Sequence, residues 1–280
     1  MPPTRRTFSI AMIAAPWVGP ARSGQPGSSA SAVDDPSLLT AVAGPARSEA
    51  NRLRDGARHP YETLRFFGLQ ASHTVVELAP GAGWYTEILA PYLRARGRLV
   101  AAHYARDQGS DERRRSRQNF EAKLARNPEW YDRVQLATLP HGERFVDVAA
   151  ASADQVLTFR NLHNWLEDGT LDARLRAFHA VLKPGGVFGV VDHRAAPGTS
   201  QAQQQRSGYL TEALVTDRVR AAGFELDARS EVNANPKDGR DHPHGVWSLP
   251  PTLRGGDADR ARFVAIGESD RFTHRYRKLT

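Results

Sequence analysis

Cysteine is absent from all 280 residues. That absence excludes disulfides, thiolate metal sites, lipid attachment at cysteine and a cysteine nucleophile together. It leaves the redox compartment open, although a thiol-free chain has nothing to lose in an oxidising one. Long apolar runs are also lacking: the stretch 10–18 falls well short of the roughly 20 residues a membrane-spanning helix needs, and no later segment is apolar enough. Excess charge is modest. The formal charge is +7, of which Arg5, Arg6 and Arg22 contribute three, leaving +4 on the remainder. Arg113, Arg114, Arg115 and Arg117 cluster, but Asp111, Glu112 and Glu121 share the helix expected there. Such mixing marks a solvated face, so no nucleic-acid partner is expected.

What the chain does have begins with an address. Thr4-Arg5-Arg6-Thr7-Phe8 precedes the apolar stretch and the small residues Ala30-Ser31-Ala32, the layout of a secretory signal with paired arginines. Residues 1–32 therefore read as a twin-arginine-type signal and cleavage region, with cleavage after Ala32, or alternatively after Ala21. The expected partner is the twin-arginine export machinery and the expected location the periplasm, with no membrane contact after signal removal. A start site assigned too early would instead leave a cytoplasmic protein. Residues 33–59 read as a helical extension and 60–280 as one domain, since neither a second core nor an internal repeat is visible.

The most informative stretch is Val75-Val76-Glu77-Leu78-Ala79-Pro80-Gly81-Ala82-Gly83-Trp84. Its short β-branched run is a buried strand of a parallel sheet, closed by Glu77. Gly81 and Gly83 open backbone angles denied to other residues and let a ligand approach the main chain. Residues 84–93 then have helical spacing, which aims free N–H groups at the same spot. Further strands are expected at 99–102, 134–139, 154–159 and 187–191, separated by helical or polar sequence, and a fold of alternating strands and helices is doubly wound. A helix at 209–222 leads to a strand at 224–232. Residues 262–276 alternate well enough to form the closing antiparallel pair, and 233–256 is a long loop rich in Pro, Gly, Asp and His.

In the order of these elements, the chain resembles the class I S-adenosylmethionine-dependent methyltransferases over residues 60–280, and within them a group of exported bacterial members. The strand ending in Glu77 before the glycine turn, Asn161-Leu162-His163-Asn164-Trp165 after the fourth strand, and Leu182-Lys183-Pro184-Gly185-Gly186 before the fifth carry that resemblance. It implies an α/β fold with a doubly wound, mostly parallel seven-stranded sheet and an antiparallel C-terminal strand pair. It also implies S-adenosylmethionine as cofactor and a small-molecule methyl acceptor, or, alternatively, an exported ligand-binding protein that keeps the fold without catalysis.

The resemblance assigns cofactor contacts to Glu77, Ala79, Gly81, Gly83, Trp84, His103 and Asn161. Ala79 stands where the family's first glycine sits, and His103 where an acid normally accepts from both ribose hydroxyls, with Asp107 a displaced substitute. Catalytic candidates are His163 as base, with Asp192 and His193 after the fifth strand orienting or deprotonating an acceptor. Trp165 reads either as an aromatic wall for the methyl group or as loop packing. A metal held by His163, Asp192 and His193 is the rival reading of those three residues, and none is expected. His242 and His244 lie in the loop and read as solvated.

Overall fold

The computed structural model describes Met1, residues 34–257 and residues 259–279. The expected signal region lies outside them, apart from Met1. Residues 35–280 form one compact unit, and no described helix is long and apolar enough to cross a membrane.

Seven strands make one sheet. They are β1 (Thr74–Leu78), β2 (Arg98–His103), β3 (Gln135–Thr138), β4 (Ala153–Phe159), β5 (Leu182–His193), β6 (Phe224–Ser230) and β7 (Arg271–Lys278). Their order is β3-β2-β1-β4-β5-β7-β6. β1 to β5 are parallel, whereas β7 runs antiparallel to both neighbours. The doubly wound sheet with its antiparallel C-terminal pair is thus as expected. Alternate side chains of the buried strands feed two cores. Val76, Val100 and Val156 pack with Trp165, Phe178 and Phe188 on one face; Val75, Leu99 and Leu157 pack with Leu64, Phe67 and Ile88 on the other.

The direction of winding reverses at β1, which is flanked by β2 on one side and β4 on the other. Ligands of open α/β sheets gather outside the carboxyl ends of strands at such a switch point. The register aligns Leu78 with Ala102 and with Thr158, so the segments leaving β1, β2 and β4 emerge together.

One expectation needs correction. Residues 262–276 do not form a strand pair: the first part is a helix, Arg260–Ile266, ended by Gly267 at φ 88°. Only the second part is a strand, β7, and its outer partner is β6. Phe263 is the single fully buried residue of that helix, so one side chain anchors it and the alternating pattern misleads. The loop at 233–256 holds one short 3₁₀ turn, Gly245–Ser248. It is not simply solvated. His242 is buried and bonds Asp238 at 2.8 Å, while Asp238 also accepts from the Tyr209 hydroxyl and the Asp270 amide.

Candidate active site

The glycine turn leaves β1 through Ala79, whose φ is 43°, a left-handed conformation costly for any residue with a Cβ. The family's glycine at this position has that physical reason. Gly81 (φ 59°) and Gly83 (φ 80°) share the conformation but face different surroundings. A Cβ on Gly81 would meet nothing within 4 Å, whereas one on Gly83 would lie 2.9 Å from the Phe120 ring. Gly81 therefore fronts open space and Gly83 serves packing.

That open space is a cavity of about 350 Å³, lined by Gly81, Trp84, Arg160, Asn161, His163 and His193 among others. Asn161 spans the strand ends, donating to the Leu78 carbonyl (3.2 Å) and the Thr158 hydroxyl (3.1 Å). Trp84 donates to the Asn51 carbonyl and lies between the guanidiniums of Arg47 and Arg58, 4.7 and 4.8 Å from its ring. The 233–256 loop covers the cavity with Val246, Trp247, Pro250 and Pro251. Asn164 and Trp247 also line an outer groove of about 1070 Å³, so the two spaces meet there.

Asp192 is fully buried at the end of β5. One oxygen accepts from the Leu162 amide (2.7 Å), and the other from the His193 amide (2.8 Å) and from His163 Nδ1 (2.9 Å). A carboxylate accepting at Nδ1 fixes the proton there and leaves the Nε2 lone pair of His163 available. His193 Nδ1 bonds the Ser269 hydroxyl at 2.5 Å, and the two imidazoles lie 5.0 Å apart. Burial, then the nearby His163, Arg160, Arg271 and Arg58, hold His193 well below its usual pKa. The structure thus brings all three catalytic candidates together, with ligand atoms within 4.8 Å of one another.

Glu77 is buried and accepts from the Thr86 hydroxyl at 2.6 Å. Burial outweighs that bond and the charge of Lys123, raising its pKa from 4.5 to about 7. At the end of β2, His103 accepts the Tyr104 amide at Nδ1 (2.8 Å), which places its proton on Nε2, facing the Gly81 carbonyl at 3.1 Å. Both ring nitrogens are spent on the protein. Burial, offset in part by the Gly81 bond, lowers its pKa to about 4, so it is neutral. Asp107 is exposed on a separate cavity of about 890 Å³ beyond β2 and β3. Trp165 faces the core, 5.3 Å from Phe178, and is no wall of the site.

Sequence reasoning missed the charged rim. Arg54, Arg58, Arg160, Glu268 and Ser269 line the same cavity. Arg160 follows β4 directly in a left-handed conformation (φ 63°), and Arg54 and Arg58 are four residues apart; neither pattern announces a site until Glu268 is seen between them.

No family model matches the chain, and no curated protein matches it. Solved structures do. A SAM-dependent methyltransferase from Aquifex aeolicus is similar at TM-score 0.53 and 15% identity, over 88% of this chain and 100% of that one. The fold is that of the class I methyltransferases. The [4+2]-cyclase SpnF is similar at TM-score 0.57 and 19% identity, over 87% of this chain and 92% of that one. An arsenic(III) S-adenosylmethionine methyltransferase from Chlamydomonas reinhardtii gives 0.51 and 13%, over 88% and 74%. At these identities the likeness carries the methyltransferase fold, and a cyclase among the neighbours separates that fold from any single reaction.

Proposed function

We propose that this protein is an S-adenosylmethionine-dependent methyltransferase acting on a small molecule. One observation carries the reading: Gly81, with nothing in front of it, opens on a cavity that also holds His163, its Nε2 lone pair free and its ring fixed by Asp192. The cofactor would supply an activated methyl group. The chain's own work is alignment, which accounts for most of the gain in such a transfer, and removal of the acceptor proton at His163 Nε2. Asn161 braces the turn between β1 and β4, and the acceptor enters past Asn164 and Trp247.

The residues fit the two ends of the cofactor unequally. At the methionyl end, Gly81 offers open main chain, and Glu77 stands at the strand end nearby. Past β2, where the adenosyl end would lie beside His103, the Arg113 guanidinium is 5.3 Å from the Tyr104 ring centre and pairs with Asp168 at 3.1 Å, and the cleft between Tyr104 and Arg113 is only about 10 Å³. Both partners of that pair are partly exposed, so opening it costs about 1 kcal/mol or less. His103, however, has no free acceptor for a ribose hydroxyl. That favours a second reading, a non-catalytic ligand-binding protein on the same fold.

Calorimetry of the protein with S-adenosylmethionine and S-adenosylhomocysteine separates the two. Heat of binding that disappears in Gly81→Val supports the first reading. Absence of heat with both compounds rejects it in favour of the second. Loss of transfer rate in His163→Ala with retained cofactor affinity supports the base role; an unchanged rate removes it. We also propose export through the twin-arginine route, which delivers folded protein to a compartment where the cofactor is not made. N-terminal sequencing of native protein that finds residues before Val33 intact rejects export.

A further inference from the structure

The charge around the cavity is lopsided. Glu268, nearly buried, is approached by four guanidiniums: Arg54 at 2.7 Å, Arg58 at 3.1 Å, Arg271 at 3.2 Å and Arg160 at 3.9 Å. Neighbouring acids are committed elsewhere. Asp270 pairs with Arg240 and Arg194, Glu87 with Lys123 and Arg47, and Asp55 with Arg47. One carboxylate therefore faces four cations, an excess of three among the described residues.

Three of the four have unused donors, Arg54 at Nη2 despite its short approach to Glu268. Arg58 is 2% exposed, and its Nη1 and Nη2 are buried without a hydrogen-bond partner. Arg160 makes no side-chain hydrogen bond among the described residues, only the 3.9 Å approach to Glu268. Its backbone is held in the left-handed region to put it there, and strain of that kind persists where the surroundings enforce it. Arg271, by contrast, is satisfied by Glu268, the Ser269 carbonyl and the Ala57 carbonyl. Buried, unpaired donors such as those of Arg58 and Arg54 are expensive, those of the partly exposed Arg160 are open to a ligand, and a bidentate oxyanion matches the guanidinium fork.

We infer that this cavity holds an oxyanion, a carboxylate or phosphate on the small molecule the protein binds, with Arg160 and Arg58 as its donors and Arg54 at the rim. Mutual repulsion supports this, since burial and neighbouring arginines lower the pKa of Arg58 to about 9, and burial lowers that of Arg160 to about 10. The same field decides against a metal cation at His163 and His193. His193 faces the arginine excess, and the Asp192 oxygens already accept three hydrogen bonds. The inference holds under either reading of function, because the arginine excess does not depend on which bound molecule carries the anion.

A carboxylate could also come from S-adenosylmethionine itself. The two sources are told apart by experiment, because Arg160 leaves β4, the strand beside β1, and Arg58 lies 4.8 Å from the Trp84 ring, within reach of either molecule. The test uses inorganic phosphate as probe on the full protein, by thermal shift and calorimetry, against chloride at matched ionic strength. Phosphate is expected to stabilise the native protein. In Arg160→Met, which keeps the backbone strain and removes no hydrogen bond, affinity should fall at least about tenfold, while Arg144→Met, an exposed change beside a different cavity, should leave it unaltered. No preference for phosphate over chloride, or equal affinity in Arg160→Met, overturns the site. If S-adenosylmethionine binds, its affinity should be unaffected by saturating phosphate; direct competition overturns the acceptor assignment and gives the arginines to the cofactor. If S-adenosylmethionine does not bind, the methyltransferase reading fails and the phosphate result alone decides this one.

Discussion

Replacing Glu77 with Gln tests how the end of β1 is built. The carboxyl is 2% exposed, and its pKa is raised from 4.5 to about 7, chiefly by burial. The unfolded chain thus releases this proton earlier than the folded one. The stabilisation from a neutral Glu77 is complete below pH 4.5, declines as pH rises, and is gone above about pH 7. A shift of that size corresponds to about 3 kcal/mol. Gln keeps the shape, can still accept from the Thr86 hydroxyl, and has no proton to lose. Urea unfolding of native and Glu77→Gln protein should give nearly equal stabilities at pH 4 and a variant more stable by up to about 3 kcal/mol at pH 8. A stability difference that does not change with pH would refute the reasoning.

Glu268 responds in the opposite direction. Burial raises its pKa, but Arg58, Arg271, Arg160 and Arg54 overcome this and hold it at about 2, so its contribution is present above pH 4.5 and fades as pH falls through 2. Glu268→Gln should lose about 3–5 kcal/mol at pH 7, read by urea unfolding, because it strands buried guanidiniums. Ala79→Gly should gain up to about 1 kcal/mol in the same assay, the relief of a left-handed alanine less the added freedom of the unfolded chain. Gly83→Ala should lose about 1–3 kcal/mol against the Phe120 ring, whereas Gly81→Ala, which meets open space, should lose only the backbone cost of about 1 kcal/mol.

Much of the scaffold could be read from the sequence because the central strands are buried on both faces, which concentrates β-branched and small residues into short runs such as Val75-Val76 and Leu99-Val100. Gly81, His163, Asp192 and His193 were legible for a related reason: each stands at the carboxyl end of one of those strands, and strand ends at a switch point converge. The helix Arg260–Ile266 was not, because a short segment with one buried anchor satisfies both periodicities. Trp165 was ambiguous, since an aromatic after a strand can turn either way. The arginine rim was out of reach. Arg58 and Glu268 are 210 residues apart, and nothing local in either segment marks the other as its partner.

That separation has a consequence for how the binding pocket comes into being. Its charged wall is stitched from the segment that carries Arg54 and Arg58 and from the connector before β7, so a piece of the chain that lacks either leaves the guanidiniums and Glu268 without each other. During synthesis Arg54 and Arg58 meet Glu268 only after the connector 210 residues beyond Arg58 has been made. The charged wall therefore closes together with β7, which follows that connector directly.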